Sequence, residues 1–284
     1  MLSLHTNNAA LSAQNSISRT QSSLSTSMTR LSTGYRINSA MDDAAGLQIA
    51  SRLKAQTSGM TVAMRNTQNS TSMLQTAEGA LDEVSNMLVR MKDLATQAAD
   101  ASSTTADKAA MQSEYDALGT ELGNVLKNTT FGGTKLLVGG TVAASMTFQI
   151  GASASETMAV NLTADMAQVV TDVSAATANY SAATAGAEVT GTAANGSITK
   201  LETALASVNK VRSGLGAAAN RLEHVYNNLS NISTNSKAAA GLIMDVDFAT
   251  ESANMTSNQM LLQAGTAMLK QSNSMSSMVM SLLQ

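Results

Sequence analysis

The groups in this chain best suited to chemistry are few, acidic and clustered near the two ends. Asp42 and Asp43 are adjacent, and Asp245, Asp247 and Glu251 fall within seven residues of one another. Paired carboxylates can pass a proton between acid and base roles, and several carboxylate oxygens at short spacing can hold calcium. Neither chemistry fits its setting. Asp42 and Asp43 lie in the glycine-bracketed stretch TGYRINSAMDDAAG (Thr33–Gly46), where helix capping and an ion pair with Arg36 account for them. The second group lacks the central glycine of a calcium loop, and Asp247 stands where a helix cap belongs. His5 and His224 have no ligating residue three or four positions away, so neither nucleates a metal site. With no cysteine there is no disulfide framework, thiolate site or cysteine nucleophile. No H-E-x-x-H, phosphate-binding loop or G-x-S-x-G occurs. The expectation is a protein that is not an enzyme and takes no cofactor or metal.

What the residues do instead is repeat at helical spacing. Leu201, Val208, Leu215, Leu222 and Leu229 step by seven, and Ala204, Val211, Ala218, Val225 and Ile232 follow three residues later on the same face. A second such pair of rows comprises Leu74, Leu81, Leu88 and Ala95 with Ala77, Val84, Met91 and Ala98. An apolar stripe of this kind requires a partner helix, because water cannot satisfy it. Leu74, Leu81, Leu88, Leu215, Leu222 and Leu229 are therefore the expected bundle seam. Aromatic residues make up only 2% of the chain, so Ala, Leu, Met and Val must fill the contacts. The absence of proline leaves nothing to break a long helix through a missing N–H.

Charge is sparse at 13%, and polarity comes from Ser, Thr, Asn and Gln. Uncharged polar faces can be buried against copies of themselves at a far lower desolvation cost than ionised ones, which suits self-assembly. The net charge of −3, without a basic run interleaved with aromatics, argues against a nucleic-acid partner. No apolar run approaches the length of a membrane span, and MLSLHTNNAALSAQ lacks the charged and apolar regions of a cleavable signal, so neither membrane insertion nor that export route is expected.

Taken in order, residues 1 to about 32 form a charge-poor amphipathic helix. Leu4 and Leu11, then Ile17, Leu24 and Leu31, mark its heptads with a slip of one. A joint follows at Thr33–Gly46, then a helix from Leu47 to about Asp100, a polar turn, and a third helix whose stripe is Met111, Tyr115, Leu118, Leu122 and Val125. Near 128–164 the period changes to two. Met146, Phe148 and Ile150, then Met158, Val160 and Leu162, alternate with polar or small residues and read as a β-hairpin. The Ala/Thr-rich segment 165–197 carries at most a short helix near its start. A second joint is expected over Ser236–Asp247, and a last helix carries Leu261, Met268, Met275 and Leu282 at sevenfold spacing. The fold class expected is mainly α: a long antiparallel helical bundle, a terminal two-helix coiled coil and a small β-hairpin region. Its domains are 1–43 with 247–284 as the terminal coiled coil, and 44–246 as the bundle. The ends should pair with each other at one pole.

The segments RLSTGYRINSAMDDAAGLQIASRL (Arg30–Leu53), AEGALDEVSNMLVRMKDLATQAA (Ala77–Ala99) and NTTFGGTKLL (Asn128–Leu137) resemble bacterial flagellins. So do LGAAANRLEHVYNNL (Leu215–Leu229), DVDFATESANMT (Asp245–Thr256) and QAGTAMLKQSN (Gln263–Asn273), in order and spacing. The opening MLSLHTN looks like the lateral, swarming type, and the short middle implies a reduced variable region. The resemblance implies a filament subunit for motility that polymerises with itself and is located extracellularly in the flagellum. It implies unfolded export through the flagellar type III apparatus, with an export chaperone, cap and hook-associated proteins as partners. The inner polymerisation interface would then comprise Leu4, Leu11, Leu24, Leu31, Leu261, Met268, Met275 and Leu282. The family is also sensed by an animal innate receptor, and the positions matching that contact are Arg90, Leu94 and Glu114. Val89 departs from the polar residue common beside them. A hook–filament junction or type III tip protein is the alternative, and it lacks the tandem match over both joints. A flagellin carrying a protease in its middle is excluded, since residues 138–197 contain neither His nor Cys.

Overall fold

Long helices form because little in the chain stops them, and they end where a specific cap is supplied. The computed structural model describes residues 7–180, 186–190 and 192–282. Among these, α1 (Asn8–Thr33), α2 (Ala44–Ala99) and α3 (Thr105–Asn128) precede strands β1 (Thr130–Phe131), β2 (Thr134–Lys135), β3 (Ser145–Gln149) and β4 (Thr157–Asn161). Then come α4 (Thr163–Ala176), α5 (Ala194–Met244) and α6 (Phe248–Leu282). The architecture is mainly α with small hairpins, as the periodicity predicts. Two compact units emerge, one from Met1–Gln56 with Thr234–Gln284 and the other from Thr57–Ser233. The expected boundaries at 43/44 and 246/247 coincide with the joints between helices, whereas the compact units divide within α2 and α5.

The Thr57–Ser233 unit is built on the two predicted seams. Leu74, Leu81, Leu88, Leu215 and Leu222 are all buried in one cluster with Ala77, Val84, Met91, Ala95 and Ala98. Leu229 closes a smaller cluster with Met60 and Ala63, and the stripe ends at Ile232, which is exposed. Ion pairs order α2 and α5 in opposite directions: Arg212 reaches Glu78 at 2.8 Å and Asp82 at 2.7 Å, while Lys92 reaches Glu202 at 2.8 Å. Such partly exposed pairs fix register more than they stabilise.

Helix α3 starts at a capping box, in which the Asp107 amide donates to the Thr104 hydroxyl at 3.2 Å and the Thr104 amide to the Asp107 carboxylate at 3.0 Å. Its buried Tyr115 donates its hydroxyl to the Ala176 carbonyl at 2.7 Å, and burial pushes that phenol well above its ordinary pKa. The β3–β4 hairpin pairs Met146 with Val160 and Phe148 with Met158, laying its apolar face on the same core. The stretch after α4 is clamped by polar groups: Gln112 donates to Asp116 at 2.7 Å and to Glu188 at 2.9 Å, and accepts from the Val189 amide at 2.8 Å.

The unit containing both chain ends holds the joints. Gly34 ends α1 in the left-handed region (φ 76°), where a β-carbon would be strained, and its amide donates back to Arg30. The strand-like stretch after it pairs with the end of α5: the Arg36 amide donates to Met244 at 2.7 Å and the Val246 amide to Gly34 at 3.0 Å. Asp42 accepts from the Asn38 and Ser39 amides, which hold its carboxyl below the usual range, and Asp43 caps α2 through the Gly46 amide at 2.8 Å. Two expectations are corrected here. The guanidinium of Arg36 makes no ion pair with these aspartates among the described residues, and donates instead to the Ile243 carbonyl at 2.9 Å, satisfying the end of α5. The second joint is also shorter than Ser236–Asp247, because α5 stays helical through Gly241 to Met244. Lys-Ala-Ala-Ala propagates a helix strongly enough to carry a single glycine. Asp247 then caps α6 as expected, accepting from the Thr250 hydroxyl at 2.6 Å and the Ala249 amide at 3.0 Å.

Candidate self-assembly surface

Helices α1 and α6 pack against each other. Asn7 donates to Ser272, Ile17 faces Gly265, and Arg30 lies 3.8 Å from Glu251. That order is antiparallel. The approach is close at Gly265, where a β-carbon would sit 2.9 Å from Ile17 Cγ1. Sheltered positions define the seam between the pair. On α1 they are Ala10, Ala13, Ile17, Thr20, Leu24, Ser27 and Leu31, and on α6 Glu251, Met255, Asn258, Leu262, Gly265, Leu269 and Ser272. Both rows follow the alternating three- and four-residue steps of a coiled coil.

A second row lies one residue to the side, about 100° around the helix. On α6 it runs Leu261, Ala264, Met268, Gln271, Met275 and Met278, and it is exposed throughout. Leu261 is 55% exposed and Met268 66%. On α1 the matching row holds Leu11 and Met28, both exposed, among Gln and Ser. Helix α6 thus carries two apolar seams, one covered by α1 and one open. Large apolar side chains left in water at regular spacing are the kind that mark an interaction surface.

The eight residues expected at the inner interface therefore divide. Leu11, Leu261, Met268 and Met275 lie on the open row. Leu24 and Leu31 are half-buried in the seam between α1 and α6. Leu4 and the side chain of Leu282 lie outside the described residues. The slip of one between Leu11 and Ile17 has a structural meaning: it is the step from the open row to the covered one. Leu262 and Leu269, which the sequence places merely beside the main row, are the residues that hold the pair together.

Part of the polar surface of α1 is satisfied within the helix itself. The hydroxyls of Thr20, Thr26, Thr29 and Thr33 each donate to the carbonyl four residues back, at 2.9 to 3.1 Å. A hydroxyl already bonded within its own helix loses little when a neighbour displaces water. Beyond Glu251, α6 carries Lys270 as its sole charged residue. No helix among the described residues is long and apolar enough to cross a membrane, and no group there could hold a metal ion.

A separate feature lies on the Thr57–Ser233 unit. Arg90 pairs with Glu114, Nη2 to Oε1 at 2.6 Å, and both side chains are half exposed. Val89 is exposed beside them, whereas Leu94 is 3% exposed and belongs to the bundle core. The Arg90–Glu114 pair is therefore the accessible part of the expected receptor triad, and Leu94 supports it from beneath.

Comparison with known proteins meets this geometry at both ends. Residues 4–141 match the bacterial flagellin N-terminal helical region, and residues 198–283 match the bacterial flagellin C-terminal helical region. Flagellin A of Vibrio anguillarum is 33% identical over the full length of both chains. A flagellin of Halalkalibacterium halodurans is 40% identical over 90% of each. A solved structure of a flagellar hook-associated protein from Vibrio parahaemolyticus superposes with a TM-score of 0.58, over 72% of this chain and 99% of that one, at 18% identity. That likeness extends to the fold.

Proposed function

We propose, from the premise that the chain belongs to the bacterial flagellin family and is a structural subunit of the flagellar filament, that the open row on α1 and α6 is where subunits join. The observation that carries this reading is the second, uncovered seam of α6 beside the one α1 already covers. On this reading, residues 1–43 with 247–284 form the inner part of the filament and residues 44–246 the layer around it. Secretion would be unfolded, through the flagellar type III apparatus. A charge-poor helix that orders chiefly by packing suits that passage. An export chaperone would shield the row on α6 until cap and hook-associated proteins receive the subunit, so adding it should block the same filament growth.

Removing Met275 to Gln284 tests the assignment. The truncated chain should stay dispersed when seeded with filament fragments, and electron micrographs should show no new tubes. Filaments of normal length from the truncation would overturn it, and short caps or rings from the full chain would favour the junction or tip alternative.

The finer partner proposed is a host innate receptor engaging Arg90 and Glu114, supported by their half-exposed ion pair on the bundle surface. Replacing both by alanine should lower receptor signalling about tenfold, as loss of a charged interface anchor does, while filament growth continues. Unchanged signalling by a reporter cell line would remove these two residues from the contact.

A further inference from the structure

The methionines of this chain are sorted between the two units. The chain has 19 methionines; among the described residues Met28, Met41, Met260, Met268, Met275 and Met278 are exposed, and these six belong to the unit formed by the chain ends. Among the described residues of the Thr57–Ser233 unit, every methionine is buried or half-buried, with Met91 at 0% and Met166 at 1% exposure. The chain has no cysteine and no tryptophan. Thioethers are thus its most readily oxidised side chains, and the accessible ones other than Met41 stand on or beside one surface. Four of them, Met28, Met268, Met275 and Met278, lie on the open row of α1 and α6, and Met260 adjoins it.

We propose that these methionines make assembly sensitive to oxidants: peroxide converts them to sulfoxides in the free subunit and blocks polymerisation, whereas a filament already formed is protected. The proposal rests on the open row being the assembly surface. In the reaction, the thioether sulfur attacks one peroxide oxygen and the O–O bond breaks. The displaced hydroxide takes the proton from the new S–OH group, leaving S=O and water. Sulfur loses two electrons and the peroxide gains them. The product is a polar, chiral side chain in place of a flexible apolar one. Its S=O oxygen accepts hydrogen bonds, but the hydroxyls of Thr266 and Ser274 on α6 already donate to the Gln263 and Gln271 carbonyls, so a neighbouring subunit would strip its water with little replacement. Met41, at 96% exposure in the joint, stands away from the row and sets the reaction rate of a free side chain.

The test compares full-length protein before and after hydrogen peroxide, in seeded growth followed by sedimentation and mass spectrometry of methionine-containing peptides. Free subunits should gain one oxygen at Met28, Met260, Met268, Met275 and Met278 at rates near that of Met41, and at least about tenfold faster than at Met91 or Met166. The concentration needed for growth should rise about tenfold or more, and treatment with the two methionine sulfoxide reductases should restore it. A variant carrying leucine at all five positions should grow equally well with and without peroxide. Preformed filaments should take up oxygen at Met41 while the five stay reduced. Oxidised subunits that grow normally, or a leucine variant that peroxide still inhibits, would overturn the proposal. Untreated protein that fails to grow on seeds would instead remove the assembly reading beneath it, so the two failures are distinguishable.

Discussion

A chain carrying Leu261→Asp and Met268→Asp should retain its helices and form no filament. Both side chains point away from α1 and are more than half exposed, so carboxylates there remain hydrated in the single subunit. The situation reverses on assembly. Each carboxylate would then have to leave water where cations are few, Arg19 and Arg30 on α1 and Lys270 beyond Glu251 on α6. Moving an unpaired ion into such a contact costs several kcal/mol even after relaxation, and the helical lattice repeats that cost at every subunit. The matched control places the same charges one residue on, at Leu262 and Leu269, in the seam that α1 covers. There the damage should fall on the subunit itself, lowering helical circular dichroism. The informative outcome is the contrast. If the 261/268 variant lost helicity and the 262/269 variant did not, the covered and open rows would have been interchanged. If the 261/268 variant still polymerised, the open row would not be the joining surface.

That contrast also shows where sequence reading reached its limit. Periodicity finds an apolar stripe but does not say which of two adjacent stripes is covered, because both satisfy the same spacing. On α5 and α2 there was a single stripe per helix, and every leucine expected there is buried. On α6, Leu261 and Leu262 are neighbours, as are Met268 and Leu269, and only the position of α1 separates the two rows. A small-residue signal existed in retrospect: Gly265 and Ser272 share the row of Leu262 and Leu269, and close approach of Ile17 requires the glycine. The joints were legible from glycine and aspartate, but their partners were not. Arg36 stands near Asp42 in sequence and chooses the end of α5, more than two hundred residues away. The Gln112–Glu188 clamp was invisible for the same reason, since nothing local distinguishes it from a solvated pair. Leu94 was legible as a match to a family contact, while its burial follows from flanking the seam stripe of α2, next to Met91 and Ala95.

Leu222→Ala should lower the stability of the bundle by roughly 2–5 kcal/mol, the range for truncating a leucine in a packed core. Leu222 is fully buried in the main cluster, where surrounding helices held by long seams have little freedom to collapse into the space. Leu242→Ala, at a position 85% exposed on the same helix, should change stability by about 0.5 kcal/mol or less. In urea, the Leu222→Ala midpoint should fall with the slope unchanged, as expected when native packing alone is altered. A shift as small as that of Leu242→Ala would mean that α5 does not carry the core. The consequence for assembly separates the two units. Leu222 belongs to the Thr57–Ser233 unit and the open row to the other, so filaments of Leu222→Ala should still grow on seeds at low temperature. They should lose their bundle signal earlier on heating, because the cavity weakens folding within each subunit while leaving the α1 and α6 contacts intact. The aspartate pair at 261 and 268 should do the reverse, sparing the fold and removing the filament. A bundle that sets stability and a terminal pair that sets association should thus be separable by one substitution in the first and two in the second.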